Sequence, residues 1–126
     1  MPWTPADAIA YVDHHVDVWN RHDLDKIVAL YAEDVELTSP LARDVVGSAV
    51  VRGRDGLREY FGTALKANPE LRFEVHDVLR GEDSITFTAS FSLGNSIGGR
   101  MVAEVLFINP DGLIGKVVAH YSCERS

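Results

Sequence analysis

The chain has 126 residues, 46% of them hydrophobic, with 19 acidic and 12 basic residues and a formal net charge of -7. That length suits one domain able to bury roughly two thirds of its unfolded surface, and scattered Lys and Arg in an acidic chain argue against a nucleic-acid partner. A single cysteine, Cys123, permits no internal disulfide, and no apolar run approaches the ~20 residues of a membrane span; the expectation is a soluble, non-exported, cytoplasmic protein spanning 1–126 as one domain.

Apolar residues recur at Ile9, Val12, Val16 and Trp19, predicting an amphipathic helix from Thr4 or Pro5 to about Asn20. A second short helix is predicted from Asp23, its N-cap, to Tyr31, with Leu24, Ile27, Val28 and Tyr31 as its apolar stripe. Val35 to Ser39 alternates as a strand and stops at Pro40, and Leu41 to Val46 reads as a loop. A short strand at Val50 and Val51 leads through Gly53 into a third helix, Asp55 to Ala67, with Leu57, Tyr60, Phe61, Ala64 and Leu65 inward.

Long strands follow. Leu71 to Arg80 places Leu71, Phe73, Val75 and Leu79 on one face, and Ser84 to Leu93 places Ile85, Phe87, Ala89, Phe91 and Leu93 on one face with Ser and Thr opposite. Met101 to Asn109 is apolar on both faces, Val102, Leu106 and Ile108 on one and Met101, Ala103, Val105 and Phe107 on the other, so both want cover. The turn Asn109-Pro110-Asp111-Gly112 feeds a last strand to about Ser122. Helices followed by strands predict an α+β fold: three helices from the N-terminal half laid on the concave face of a curved antiparallel sheet. The convex face, where Val105 and Phe107 emerge, then reads as a homodimer interface, with ordinary scattered exposure as the alternative.

Three side chains stand out within this frame. Glu104 lies between Val102 and Leu106 on the inward face, where an unpaired carboxylate is costly and its pKa is expected to rise. His15 flanks the buried stripe of the first helix, whereas His14, Asp17 and Arg21 point outward. The two are expected to pair at the cavity floor, either fastening helix to sheet or doing proton chemistry, two readings of equal weight. Asp77 interrupts its strand and either enters the pocket mouth or turns outward on a bulge. Ser39 beside Pro40 either binds a ligand or satisfies local backbone. His22, His76 and His120 read as surface; a metal shared by His76 and His120 across neighbouring strands is conceivable, but their spacing does not require it. Trp3 and Trp19 read as core anchors or lid residues, and Tyr31 and Tyr121 as pocket or core.

The segments NRHDLDKIVALYAEDVELTSP, VVRGRDGLREYF and AEVLFINPDGLIGKVVAHY resemble the ordered blocks of the nuclear transport factor 2-like superfamily, in its SnoaL-like and ketosteroid isomerase-like branch. The resemblance covers nearly the whole chain and implies a cone-shaped α+β fold. By that resemblance Ser39 fills the position of the ketosteroid isomerase base, so Asp-base steroid isomerisation is not expected. The oxyanion Tyr falls near His15, the protonated Asp falls on Glu104, Tyr31 and Tyr121 fall at aromatic pocket positions, and Phe61 replaces a further pocket Tyr. What it implies is a cofactor-free enzyme with no metal that isomerises, cyclises or dehydrates a small apolar polyketide-, steroid- or terpenoid-like molecule. His15 and Glu104 would shuttle protons, Tyr31 would donate a hydrogen bond, and Trp19, Ser39, Phe61 and Tyr121 would hold the ligand. The alternative is a dimeric binding or assembly module without chemistry.

Overall fold

The computed structural model describes residues 3–93 and 100–123; Leu93, expected on the inner face, has its side chain outside the described set. Helix α1, Pro5–Asn20, starts where the Thr4 hydroxyl accepts from the Asp7 amide at 3.0 Å, with Pro5 supplying the preset φ of the first turn. It buries Ala8, Val12, His15 and Val16. Ile9 was expected on this stripe but is 49% exposed, because the buried arc is rotated toward Ala8. At the corner after α1, His22 adopts φ 59°, and its Nε2–H donates to the Leu71 carbonyl at 2.6 Å. His22 is thus half-buried and ties this corner to the sheet, not a free surface histidine.

Helix α2 is shorter than its apolar pattern suggests. Asp23 caps it as expected, but it covers only Leu24–Val28, and Tyr31 opens strand β1, Tyr31–Thr38, instead of closing the helix. The reason is tertiary: Tyr31 pairs with Ile114 in the sheet, and the Leu30 carbonyl accepts from the Ile114 amide at 3.0 Å. The expected loop after Pro40 is helix α3, Pro40–Val46. Ser39 Oγ accepts from the Leu41 amide at 3.3 Å as its N-cap, and Gly47 at φ 82° closes it. Strand β2, Val50–Arg52, runs into helix α4, Gly53–Ala67, which buries Leu57, Tyr60, Phe61 and Leu65 as expected.

Strands β3, Leu71–Arg80, β4, Ser84–Leu93, β5, Arg100–Ile108, and β6, Ile114–Tyr121, complete one six-stranded sheet in the order β2-β1-β6-β5-β4-β3. The sheet is mixed, because β1 runs parallel to β6 while every other pair is antiparallel. Among the described residues there are four helices, one more than expected, and α1 packs on β3 while α4 packs on β1. A bulge at His76 breaks the alternation of β3, so Val75 and Val78 face the core and Leu79, expected inward, is 54% exposed. The same bulge turns Asp77 to solvent, where its carboxylate accepts from Thr88 Oγ1 at 3.0 Å. His76 and His120 do not meet: β3 and β6 are separated by β4 and β5. Among the described residues no helix is long and apolar enough to cross a membrane.

Candidate functional site

The helices and the inner face of the sheet enclose a cavity of about 140 Å³, with walls mostly of aromatic and aliphatic side chains. His15, Trp19, Tyr31, Ser39, Phe61, Glu104 and Tyr121, the candidates from sequence, all line it. Among the described residues no Lys or Arg contributes to the wall.

Glu104 arrives by strand alternation. Val102 and Leu106 on either side are fully buried, so the residue between them projects inward, beside Phe87 on β4 and Ala119 on β6. It is half-buried and lines the cavity. No hydrogen bond or ion pair to its carboxylate occurs among the described residues, and burial pushes its pKa from 4.5 up to about 7. Both its protonated and ionised forms are therefore within reach near neutral pH.

His15 is 2% exposed, and neither ring nitrogen has a hydrogen-bond partner among the described residues. Its ring meets Tyr31 and Phe87 edge-on, at centroid separations of 6.1 and 5.8 Å. The expected direct pair with Glu104 does not form. His15 is held by Tyr31 and by Phe87, the cross-strand neighbour of Glu104, and no ion pair joins the two titratable groups. Burial, and secondarily the charge of His14, lowers the His15 pKa from 6.5 to about 3, so at neutral pH its ring carries one donor and one acceptor and no charge.

The Tyr31 hydroxyl accepts from Trp19 Nε1 at 3.3 Å, and Arg54 Nε donates to the Tyr31 carbonyl at 2.9 Å. These bonds fix the phenol and leave its own proton uncommitted among the described residues. Burial, and next the charge of Glu104, raises its pKa well above 10, keeping it a donor. Trp19 also packs edge-on against Phe61 at 4.6 Å, making it a wall of the cavity that orients Tyr31.

Tyr60 is a wall residue that the sequence pattern showed only as core. Its hydroxyl lines the same cavity as those of Ser39 and Tyr121; burial raises the pKa of Tyr60 and of Tyr121, with smaller effects on both from Glu104, from Ser39 and from each other. The signal was local: Tyr60 adjoins Phe61 on α4, both rings are buried, and a buried tyrosine seeks a partner for its hydroxyl. Among the described residues no group of three or more His, Cys, Asp or Glu is gathered to hold a metal.

Comparison with known proteins places this geometry. The sequence model described as the SnoaL-like domain matches residues 12–114. A SnoaL-like protein of unknown function from Burkholderia thailandensis E264 is 34% identical, with 97% of this chain and 100% of that one aligned at a TM-score of 0.86. The fold is shared more distantly by SalBIII, an epoxide hydrolase/cyclase-like enzyme in pyran ring formation in the polyether salinomycin (23% identity, 91% and 90% coverage, TM-score 0.72). It is also shared by TerC, crystallised with polyporic acid (13% identity, 91% of each chain, TM-score 0.75).

Proposed function

This chain belongs to the SnoaL-like domain family, and from that premise we propose that it binds a small, largely apolar carbonyl compound in the cavity and moves a proton on the carbon beside the carbonyl, without a cofactor. The observation carrying this reading is Glu104: an unpaired carboxyl, pushed up to about 7, facing the same cavity as the Tyr31 hydroxyl and the neutral His15 ring. A group with a pKa near the working pH both takes and returns a proton effectively.

In the proposed step the Glu104 carboxylate removes the proton. The C–H electron pair becomes the C=C of an enolate, and the carbonyl oxygen takes up the displaced pair, facing Tyr31 O–H. Where the substrate is β,γ-unsaturated, return of the proton to the γ-carbon of the dienolate gives isomerisation. Attack of the enolate carbon on a second carbonyl of the same molecule, whose oxygen takes the displaced pair and then the proton held by Glu104, gives cyclisation. Loss of a β-hydroxyl protonated by Glu104, as water, gives dehydration. His15 serves as an uncharged part of the wall, because its pKa near 3 leaves no imidazolium to serve as acid and both ring nitrogens are buried. The relationship to SalBIII, an epoxide hydrolase/cyclase-like enzyme, is compatible with such acid-base chemistry. We also propose that two copies associate through the outer face of the sheet and that the protein works in a reducing cytoplasm, where the exposed Cys123 stays a free thiol.

The test is hydrogen–deuterium exchange at C1 of 2-tetralone in deuterated buffer, followed by NMR. The protein is expected to accelerate exchange over buffer, and Glu104→Gln to reduce that acceleration at least ~100-fold. Exchange no faster than buffer, or unaffected by Glu104→Gln, rejects the chemistry; if 2-tetralone still binds, the non-catalytic binding module replaces it.

A further inference from the structure

The polar groups of the cavity fall into two sets. One comprises Glu104, Tyr31 and His15. The other is Ser39, Tyr60 and Tyr121, contributed by the end of β1, by α4 and by the end of β6. Ser39 is 1% exposed and Tyr60 6%, so these hydroxyls have lost bulk water. The Ser39 oxygen is already used once, by the Leu41 amide at 3.3 Å. Each hydroxyl donates once and accepts twice, so even if all three bonded to one another in an open chain, one O–H and several lone pairs would stay unspent. In an enclosed apolar cavity, unspent capacity of this kind favours a ligand oxygen.

Tyr31 of the first set and Tyr60 of the second are a ring apart, while the Glu104 charge reaches Tyr31, Tyr60 and Tyr121. Phe61 lies 5.5 Å from Tyr31 and 5.4 Å from Tyr60, centroid to centroid, so one phenylalanine bridges them. Along the same span Phe91 packs against Tyr121 at 5.8 Å and Trp19 against Phe61 at 4.6 Å, giving flat walls suited to a cyclic body. With no Lys or Arg in the wall among the described residues and a carboxyl at one pole, a carboxylate ligand finds no counter-charge there.

We propose that Ser39, Tyr60 and Tyr121 form a second oxygen-binding pole, so that the substrate is a neutral ring compound with one oxygen at each end: a carbonyl at the Glu104 pole and a hydroxyl or second carbonyl at the hydroxyl pole. This rests on the reading of Glu104 given above and adds the substrate class. Tyr60 and Tyr121 then decide which carbonyl compounds are bound, while Glu104 decides what happens to them.

Calorimetric titration of 2-tetralone and 6-hydroxy-2-tetralone, alike except for an oxygen at the far end of the bicycle, tests the second pole. The hydroxylated probe is expected to bind wild-type protein about tenfold more tightly, the effect of one to two hydrogen bonds that the other probe leaves unmade. In Tyr60→Phe/Tyr121→Phe the ratio of the two dissociation constants should fall to about one; the single variants substitute if the double variant melts early. A wild-type ratio under twofold, a ratio that survives the double substitution, or binding of neither probe overturns the proposal. Glu104→Gln separates the two readings: it should abolish C1 exchange yet keep the tenfold ratio. Loss of exchange activity in all proteins with the ratio intact rejects the chemistry alone.

Discussion

Glu104 and His15 titrate in opposite senses, and their effects on stability can be worked out residue by residue. The folded-state pKa of Glu104 is raised from 4.5 to about 7, so between those values the folded protein binds more protons than the unfolded chain, and stability is lost as pH rises through the window. The His15 pKa is depressed from 6.5 to about 3, so there the unfolded chain binds more protons, and stability is lost as pH falls. From about pH 4.5 to 6.5 the two slopes cancel; the His15 contribution falls away below that window and the Glu104 contribution above it. Glu104→Gln removes only the second. The variant should gain on wild type by on the order of 2 kcal/mol between pH 4.5 and 8, the full shift being discounted because the cavity admits water. Urea unfolding of both proteins at pH 4.5, 6 and 8 checks this, and a difference that does not vary with pH contradicts the buried, unpaired state of Glu104. The sequence showed that both residues point inward, since each follows from alternation or helical phase within its own element. It did not show that they stay apart, because that is decided by Phe87 on a third element, between one and beside the other.

Helix α3 shows the same division between local signal and tertiary decision. Ser39, Pro40 and Gly47 are an N-cap, a first-turn proline and a left-handed C-cap, a complete set of boundary signals around seven residues. Leu41 to Val46 still read as a loop, because Ala42 alone is fully buried and so short a segment shows no periodic stripe. The cap geometry gives a direct test. Gly47 sits at φ 82° with nothing within 4 Å of an added Cβ, so Gly47→Ala costs backbone strain and no steric clash. The expected loss is about 1 kcal/mol in denaturant unfolding, with the tetralone affinities unaltered, since Gly47 lies outside the cavity wall. A neutral substitution would mean that the helix end rearranges freely. For α2 the error ran the other way: Tyr31 keeps helical spacing with Leu24, Ile27 and Val28, yet pairing with Ile114 draws it into the sheet and delivers its hydroxyl to the cavity. The bulge at His76 likewise reversed Leu79, and a bulge, two residues of one strand set against one of its partner, is a property of the pairing that a single strand's alternation does not show.

Across the whole molecule the helices and the cavity occupy the inner face of the sheet, and the outer face has no layer of its own among the described residues. The two-faced apolarity of β5 indicated this arrangement, but not the parallel pairing of β1 with β6, which joins residues far apart in the chain and has no local signature. Register places Val105 of β5 between Thr86 of β4 and Val118 of β6, with Leu79 on the far side of Thr86, making an apolar band across the outer face. Phe107 lies one step along, under the Lys116 ammonium at 5.6 Å, and Met101 is exposed at the other end of β5. Left in water, such a band forfeits roughly 25 cal/mol for each Å² of apolar surface that a second copy would cover. A stable pair needs about 1,200 Å² buried in total, an area within reach of a six-stranded face. A two-fold axis near Val105 would set each band against its own counterpart, so one charge there is repeated across the axis. Sedimentation velocity at micromolar concentration should therefore give the mass of a dimer for wild type and of a monomer for Val105→Asp. Because Val105 points away from the cavity, the monomeric variant should keep its affinity for 2-tetralone. A wild-type protein that sediments as a monomer at every concentration removes the interface, and loss of tetralone binding on dissociation would mean that the outer face supports the cavity as well as the pair.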